Sequence, residues 1–238
     1  MTLPTTAMIM AAGKGTRMMP LTADRPKPLI EVAGVKLIDH VLDHLRAAAV
    51  GKIVVNVHYL ADQIEAHLRN SASDFAVTVS DERRLLRDTG GGLVKAKDLI
   101  SADPLLCINA DNWWTDGAAN ALTSLGDAWD DAAMDVLMLV VPFDRAGNTL
   151  GQGDFHMSDD NRLSRRVPPA VAPYVWTGVQ IISKRLIIDP PSDVFSTNIF
   201  WDRAIAEGRC FGHVHDGKWF DVGYPAAIAA TEAALASG

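Results

Sequence analysis

Two cationic side chains beside a glycine-punctuated loop are the first residues in this chain able to do chemistry. The apolar run Ala7–Met10 leads into Ala11–Ala12–Gly13–Lys14–Gly15–Thr16–Arg17, and Lys27 follows ten residues later between Pro26 and Pro28. A buried strand that feeds a glycine loop delivers backbone N–H groups to an anion. Glycine lets the backbone approach a phosphate without a Cβ in the way. Arg17 and Lys27 add two positive charges at the same place, and the flanking prolines keep the backbone extended around Lys27. Asp111 is the third candidate. It ends the apolar run Pro104–Ala110, and a carboxylate just past the carboxyl end of a parallel strand lies where open α/β sheets place ligands. The alternative for Asp111 is a helix N-cap or a turn aspartate.

Two common glycine patterns are excluded. The dinucleotide fingerprint requires a glycine where Met18 stands, and the P-loop requires glycine and Ser or Thr where Met8 and Gly15 stand. A second loop, Ser80–Gly92, closes on Thr89–Gly90–Gly91–Gly92 ahead of an expected helix over Leu93–Ile100. Three glycines at a helix start suit a flat group packed on bare backbone, or a plain loop-to-helix junction.

The elements that must position these residues follow from periodicity. Strands are expected over Ala7–Ala12, Lys52–Val57, Phe75–Val79, Pro104–Ala110, Met134–Val141 and Tyr174–Ile182. Leu37, Ile38, Val41, Leu42 and Leu45 recur at helical spacing, as do Ile64 and Leu68 within Leu60–Leu68. Further helices are expected over Gly117–Leu125, Asn198–Ala206 and Tyr224–Ala236, with turns at Glu31–Gly34 and Gly151–Phe155. Strand–helix alternation argues for right-handed βαβ units and a parallel sheet. Arg209–Val214 and Lys218–Phe220 read as a strand pair turning at Asp216–Gly217. His40 and His44 at i, i+4, and His213 with His215, lack a further metal ligand nearby and read as structural. Trp113–Trp114 either wall the site or pack.

Four motifs in order, A-A-G-x-G-T-R, P-K-P-L, T-G-G-G with N-A-D (Asn109–Ala110–Asp111), and W-x-D-V-G (Trp219–Gly223), resemble the sugar-1-phosphate nucleotidyltransferases over Ala7 to about Ala236. The resemblance implies a Rossmann-like α/β three-layer sandwich with a mostly parallel central sheet. It implies one domain over 1–238, with a nucleotide-binding half at about 1–115 and a sugar-binding half at about 116–238. The implied partners are an NTP, UTP by the branch it resembles, and a sugar 1-phosphate, with Mg²⁺ as cofactor and pyrophosphate as the second product. By the same resemblance Arg17, Lys27 and Asp111 are catalytic, and Ala11, Ala12, Gly13, Gly15, Thr16, Arg17, Lys27, Glu82 and Gly90 bind the nucleotide, the last two facing the base. Asn109, Asp154 and Thr177 bind the sugar, and Asp111 and Asp221 hold the metal. Gly151–Phe155 resembles the G-x-G-D-F segment of the N-acetylmuramate α-1-phosphate uridylyltransferase branch, which serves peptidoglycan recycling. Ala110 departs from the family's N-G-D, which matters if that position needs positive φ.

Two other classes compete. A metal-dependent glycosyltransferase typically carries D-x-D, whereas Asp111–Asn112–Trp113 lacks the second aspartate; an inactive sensor on the same fold finds support only in Ala110. Composition narrows the rest. A net charge of −7 argues against a general nucleic-acid binder. Two cysteines make no disulfide framework, and Cys107 reads as a buried small hydrophobe. No basic leader precedes Lys14 and no apolar run reaches the roughly 18 residues of a membrane span, so a cytoplasmic location is expected. No hexapeptide period follows the last motif, so no appended β-helix is expected.

Overall fold

The computed structural model describes residues 3–237. Its strands are β1 (Thr6–Met10), β2 (Glu31–Val32), β3 (Val35–Lys36), β4 (Lys52–Val57), β5 (Ala76–Asp81), β6 (Leu105–Asn109), β7 (Asn112–Trp114), β8 (Val136–Pro142), β9 (Ala146–Gly147), β10 (Phe155–Met157), β11 (Leu163–Arg165), β12 (Tyr174–Ile182), β13 (Cys210–Val214) and β14 (Trp219–Asp221). The helices are α1 (Leu37–Ala47), α2 (Ala61–Ser71), α3 (Asp88–Ala96), α4 (Ala121–Asp127), α5 (Asn198–Ala206) and α6 (Pro225–Ala236).

A nine-stranded sheet carries the molecule. Strands β5, β4, β1 and β6 lie side by side and parallel. The chain moves outward from β1 through β4 to β5, then returns to place β6 on the other side of β1. That reversal opens a crevice at the carboxyl ends of β1 and β6, where open α/β sheets bind ligands. Strand β12 continues the sheet antiparallel to β6 and to β8, and β13 joins β8 in parallel.

Side-chain alternation along the strands builds two cores. Ile9, Val55, Ile108 and Leu139 face a layer holding α1, α2 and α4. Met8, Val54, Cys107 and Met138 face a layer holding α3 and α5. The result is an α/β three-layer, Rossmann-like sandwich with most strands parallel. A smaller sheet, ordered β7–β14–β9, stands at the carboxyl edge of β6, and a third cluster of Met18, Leu37, Trp113, Phe220 and Val222 packs beneath it.

Several expectations shift. The expected pair Arg209–Val214 and Lys218–Phe220 does not exist: β13 extends the large sheet, while β14 pairs with β7 and β9. Trp113–Trp114 are strand residues within β7. The helix expected from Gly117 begins at Ala121, with Asn120 capping it through Thr123 N–H. The turn at Glu31–Gly34 is a β2–β3 hairpin with positive φ at Ala33 and Gly34. The triple glycine lies inside α3, not ahead of a helix at Leu93.

Candidate functional site

The loop after β1 passes over the crevice with its backbone exposed. The N–H groups of residues 12–17 find no hydrogen-bond partner among the described residues, so they remain donors for an anion. Gly15 sits at φ +63, and a Cβ there would meet Thr22 and Lys27 at about 3 Å, so glycine is required by conformation and by crowding. Thr22 hydroxyl ties the loop down by donating to Gly15 C=O. Arg17 is exposed on the following 3₁₀ turn and forms no ion pair among the described residues.

Lys27 is buried to 7% exposure on the short turn that Pro26 and Pro28 frame, and its Nζ lies 2.7 Å from Asp111 Oδ2. Asp111 follows β6 directly. The pairing of β14 with β7 sets Asp221 opposite Asn112, one residue from Asp111. Gly223 then turns so tightly that a Cβ there would come within 2.7 Å of Asp221 Oδ1 and 3.2 Å of Arg17 Nη1. Burial pushes the Asp221 carboxyl above its usual range; Lys27 and Arg17 pull it back, and Asp111 and Asp154 push it further up. Five charged groups from five separate segments therefore share one field. Two adjoining cavities, about 200 Å³ and about 450 Å³, meet at Met10, Gly13 and Asp111. The first holds Arg17 and Lys27; the second runs past Asn56 and Asn109 to Leu86, Asp88 and Val194.

Some residues named by resemblance are placed differently. Glu82 is 1% exposed and does not line these cavities. Its Oε1 accepts from Asn56 Nδ2 at 2.9 Å and its Oε2 from Arg87 N–H at 3.0 Å, while Asn56 Oδ1 accepts from Ala11 N–H at 2.7 Å. Glu82 and Asn56 thus brace the glycine loop against the second loop from beneath. Gly90 is buried too. Its N–H and that of Gly91 both donate to Phe195 C=O, and a Cβ on Gly90 would sit 2.5 Å from the Phe195 ring. The flat group on the bare backbone is the protein's own Phe195. Thr177 is 1% exposed and its hydroxyl donates to Leu139 C=O. Asp154 accepts from Trp176 N–H at 2.9 Å, on the side of the crevice where Trp176, Gly178 and Asn109 line a narrow extension. Ala110 does not have positive φ, so the alanine is accommodated without strain. Ala11, Ala12, Gly13, Gly15 and Thr16 all border the cavities or the loop above them.

Sequence reasoning missed Asn56, Asp88 and Trp176. Asn56 carried a signal, as the one polar side chain inside the apolar stretch Ile53–Val57. Asp88 opens α3 in the left-handed region at φ +58, which no spacing announces.

A family model for nucleotidyl transferases matches residues 6–148. The N-acetylmuramate alpha-1-phosphate uridylyltransferase of Caulobacter vibrioides is 42% identical over 236 residues, covering 98% of each chain. This chain belongs to the sugar-1-phosphate nucleotidyltransferase family. The mannose-1-phosphate guanylyltransferase of Mycobacterium tuberculosis is 26% identical over 92% of this chain and 61% of its own length. Among solved structures, HddC from Yersinia pseudotuberculosis complexed with GMP-PN shares the fold, with a TM-score of 0.79 at 21% identity over 99% of this chain and 100% of that one. Like its family, the chain is an enzyme of nucleotidyl transfer. Among the described residues no helix is long and apolar enough to cross a membrane.

Proposed function

We propose that this enzyme joins UTP and N-acetylmuramic acid 1-phosphate into UDP-N-acetylmuramic acid, releasing pyrophosphate, as a step of peptidoglycan recycling in the cytoplasm. The observation that carries this reading is the 42% identity across 98% of both chains to an N-acetylmuramate alpha-1-phosphate uridylyltransferase. The division of labour is a nucleotide-binding half at about 1–115 and a sugar-binding half at about 116–238 within one catalytic domain.

In the proposed reaction a phosphate oxygen of the sugar 1-phosphate attacks the α-phosphorus of UTP in line. The new P–O bond forms as the bond to the β-phosphate oxygen breaks, and pyrophosphate leaves with that electron pair. Two anions must meet, so alignment and charge neutralisation are the tasks and no protein nucleophile is needed. The free N–H groups of the glycine loop and the Arg17 guanidinium receive the β- and γ-phosphates. Lys27, a compact charge held by Asp111, faces the α-phosphate. Asn109 and Asp154 take the sugar side. Asp111 and Asp221 would hold Mg²⁺. Their donor set fits that ion: both are carboxylate oxygen donors, and they lie near enough for the Asp111 charge to act on Asp221. A hard cation that completes its shell with waters and substrate phosphates needs only one or two carboxylates. When bound, it supplies positive charge to the phosphates.

The test is incubation with Mg²⁺, each of UTP, GTP, CTP and dTTP, and a set of sugar 1-phosphates, read by mass spectrometry. The expected result is UDP-N-acetylmuramic acid with stoichiometric pyrophosphate. Preference for another nucleotide or sugar would overturn the substrate assignment, and UDP-sugar consumption without pyrophosphate would indicate glycosyl transfer instead.

A further inference from the structure

The three-stranded sheet that carries Asp221 has β7 at its outer edge. An edge strand leaves every second residue with N–H and C=O pointing away from its partner. In this register Thr115 N–H donates to Lys218 C=O, so at the preceding pair, Trp114 with Trp219, the Trp114 peptide groups face outward. They are not left to water. Trp114 N–H donates to His40 Nε2 at 3.1 Å, and His44 Nε2–H donates to Trp114 C=O at 3.2 Å. The two histidines stand one turn apart on α1 and act in place of a missing strand. Each also stacks on the strand it caps: His40 on Trp113 with centroids 3.9 Å apart, and His44 on Trp114 at 4.1 Å. The first hydrogen bond requires His40 to be neutral with its proton on Nδ1, and the second requires His44 to carry a proton on Nε2.

The clamp grips the ladder two pairs away from the two carboxylates, which lie together at its other end. Asp111 enters β7 and Asp221 leaves β14 at the opposite position of the same ladder. On the far side Asn112 packs its amide against Gly178, which has φ +85 at the irregularity in β12 where no Cβ would fit. The β7–β14 ribbon is thus gripped from both sides. We propose that His40 and His44 are positioning residues for nucleotidyl transfer, which hold β7 so that the two carboxylates address the same phosphates. This rests on the catalytic roles given to Asp111 and Asp221 in the proposed function.

The test compares His40→Phe with His40→Gln. Phenylalanine keeps a ring on Trp113 and loses the acceptor; glutamine keeps an acceptor near the Nε2 position. Steady-state rates with UTP, Mg²⁺ and N-acetylmuramic acid 1-phosphate are read beside thermal unfolding and Mn²⁺ binding to the enzyme–UTP complex by electron paramagnetic resonance. His40→Phe is expected to lower kcat at least tenfold, to leave KM for UTP within about twofold, and to weaken Mn²⁺ binding several-fold while the protein stays folded at the assay temperature. His40→Gln is expected to recover most of both losses. A folded His40→Phe enzyme with wild-type kcat and Mn²⁺ affinity would overturn the inference. So would a loss that tracks the unfolded fraction and is not recovered by glutamine. Wild-type enzyme inactive with every nucleotide and sugar phosphate would instead remove the functional reading beneath it.

Discussion

At the scale of single residues, the site is governed by which charges lack a full complement of partners. Lys27 is nearly buried and has one ion-pair partner, Asp111, at 2.7 Å, so its charge is available to a phosphate placed beside it. Removing one such preorganised charge costs roughly 100–1,000-fold in rate, and Lys27→Ala should show that loss in pyrophosphate release with its folded structure intact. Glu82 acts differently. Both its oxygens accept hydrogen bonds, from the buried Asn56 amide and the half-buried Arg87 N–H, and glutamine would turn one acceptor into a donor facing a donor. Leaving a buried group unpaired costs about 1–3 kcal/mol. Glu82→Gln should therefore lower the urea midpoint and raise KM for the nucleotide more than it lowers kcat. The glycine loop, Arg17, Lys27 and Asp111 were legible from residue type and spacing because each needs a local pattern. The burial of Glu82 and Thr177 was not legible, since a motif names a position and not the direction its side chain takes.

At the scale of elements, α3 shows what the triple glycine is for. Gly90 faces the Phe195 ring, and a Cβ on Gly91 would strike the backbone carbonyl of Asp193. The Phe195 carbonyl in turn accepts the N–H groups of Gly90 and Gly91, which satisfies the first turn of the helix from within. The glycines let the segment before α5 lie against α3, and that contact brings Val194 to the large cavity. Alanine is the better helix former by about 1 kcal/mol, yet overpacking against fixed backbone costs typically about 1–3 kcal/mol. Gly91→Ala should lower stability in chemical denaturation, opposite to the propensity expectation. Most strands and α1 were readable from alternation and helical spacing. The pairing of β14 was not, because the short runs Arg209–Val214 and Lys218–Phe220 look like a hairpin locally, and only the tertiary position of β8 and β7 decides their true neighbours.

At the scale of the whole molecule, the parallel strands and the small sheet together converge groups that are far apart along the chain. Burial holds His40 neutral, with its pKa pulled from the usual 6.5 to about 3, despite the opposing pull of Asp116. Burial lowers His44, His213 and His215 as well, with Asp116 and Asp216 opposing. The unfolded chain binds protons that the folded chain refuses, so stability rises with pH below 6.5 and is lost as pH falls. Between about pH 6.5 and 5, above the ordinary carboxylate range, His40 alone contributes a slope that grows from about 0.7 to about 1.3 kcal/mol per pH unit. The urea midpoint should fall across that window, and less steeply in His40→Gln. The parallel order of the sheet was legible in the strand–helix alternation, whereas the meeting of Asp111 and Asp221 depends on the β7–β14 ladder, whose partners lie about a hundred residues apart in the sequence. That meeting is tested most directly by the single-turnover rate of pyrophosphate release from UTP and N-acetylmuramic acid 1-phosphate in Asp221→Asn. A rate at least about 100-fold below wild type, with UTP still bound, is the predicted result; a folded Asp221→Asn enzyme within about threefold of wild type would contradict it.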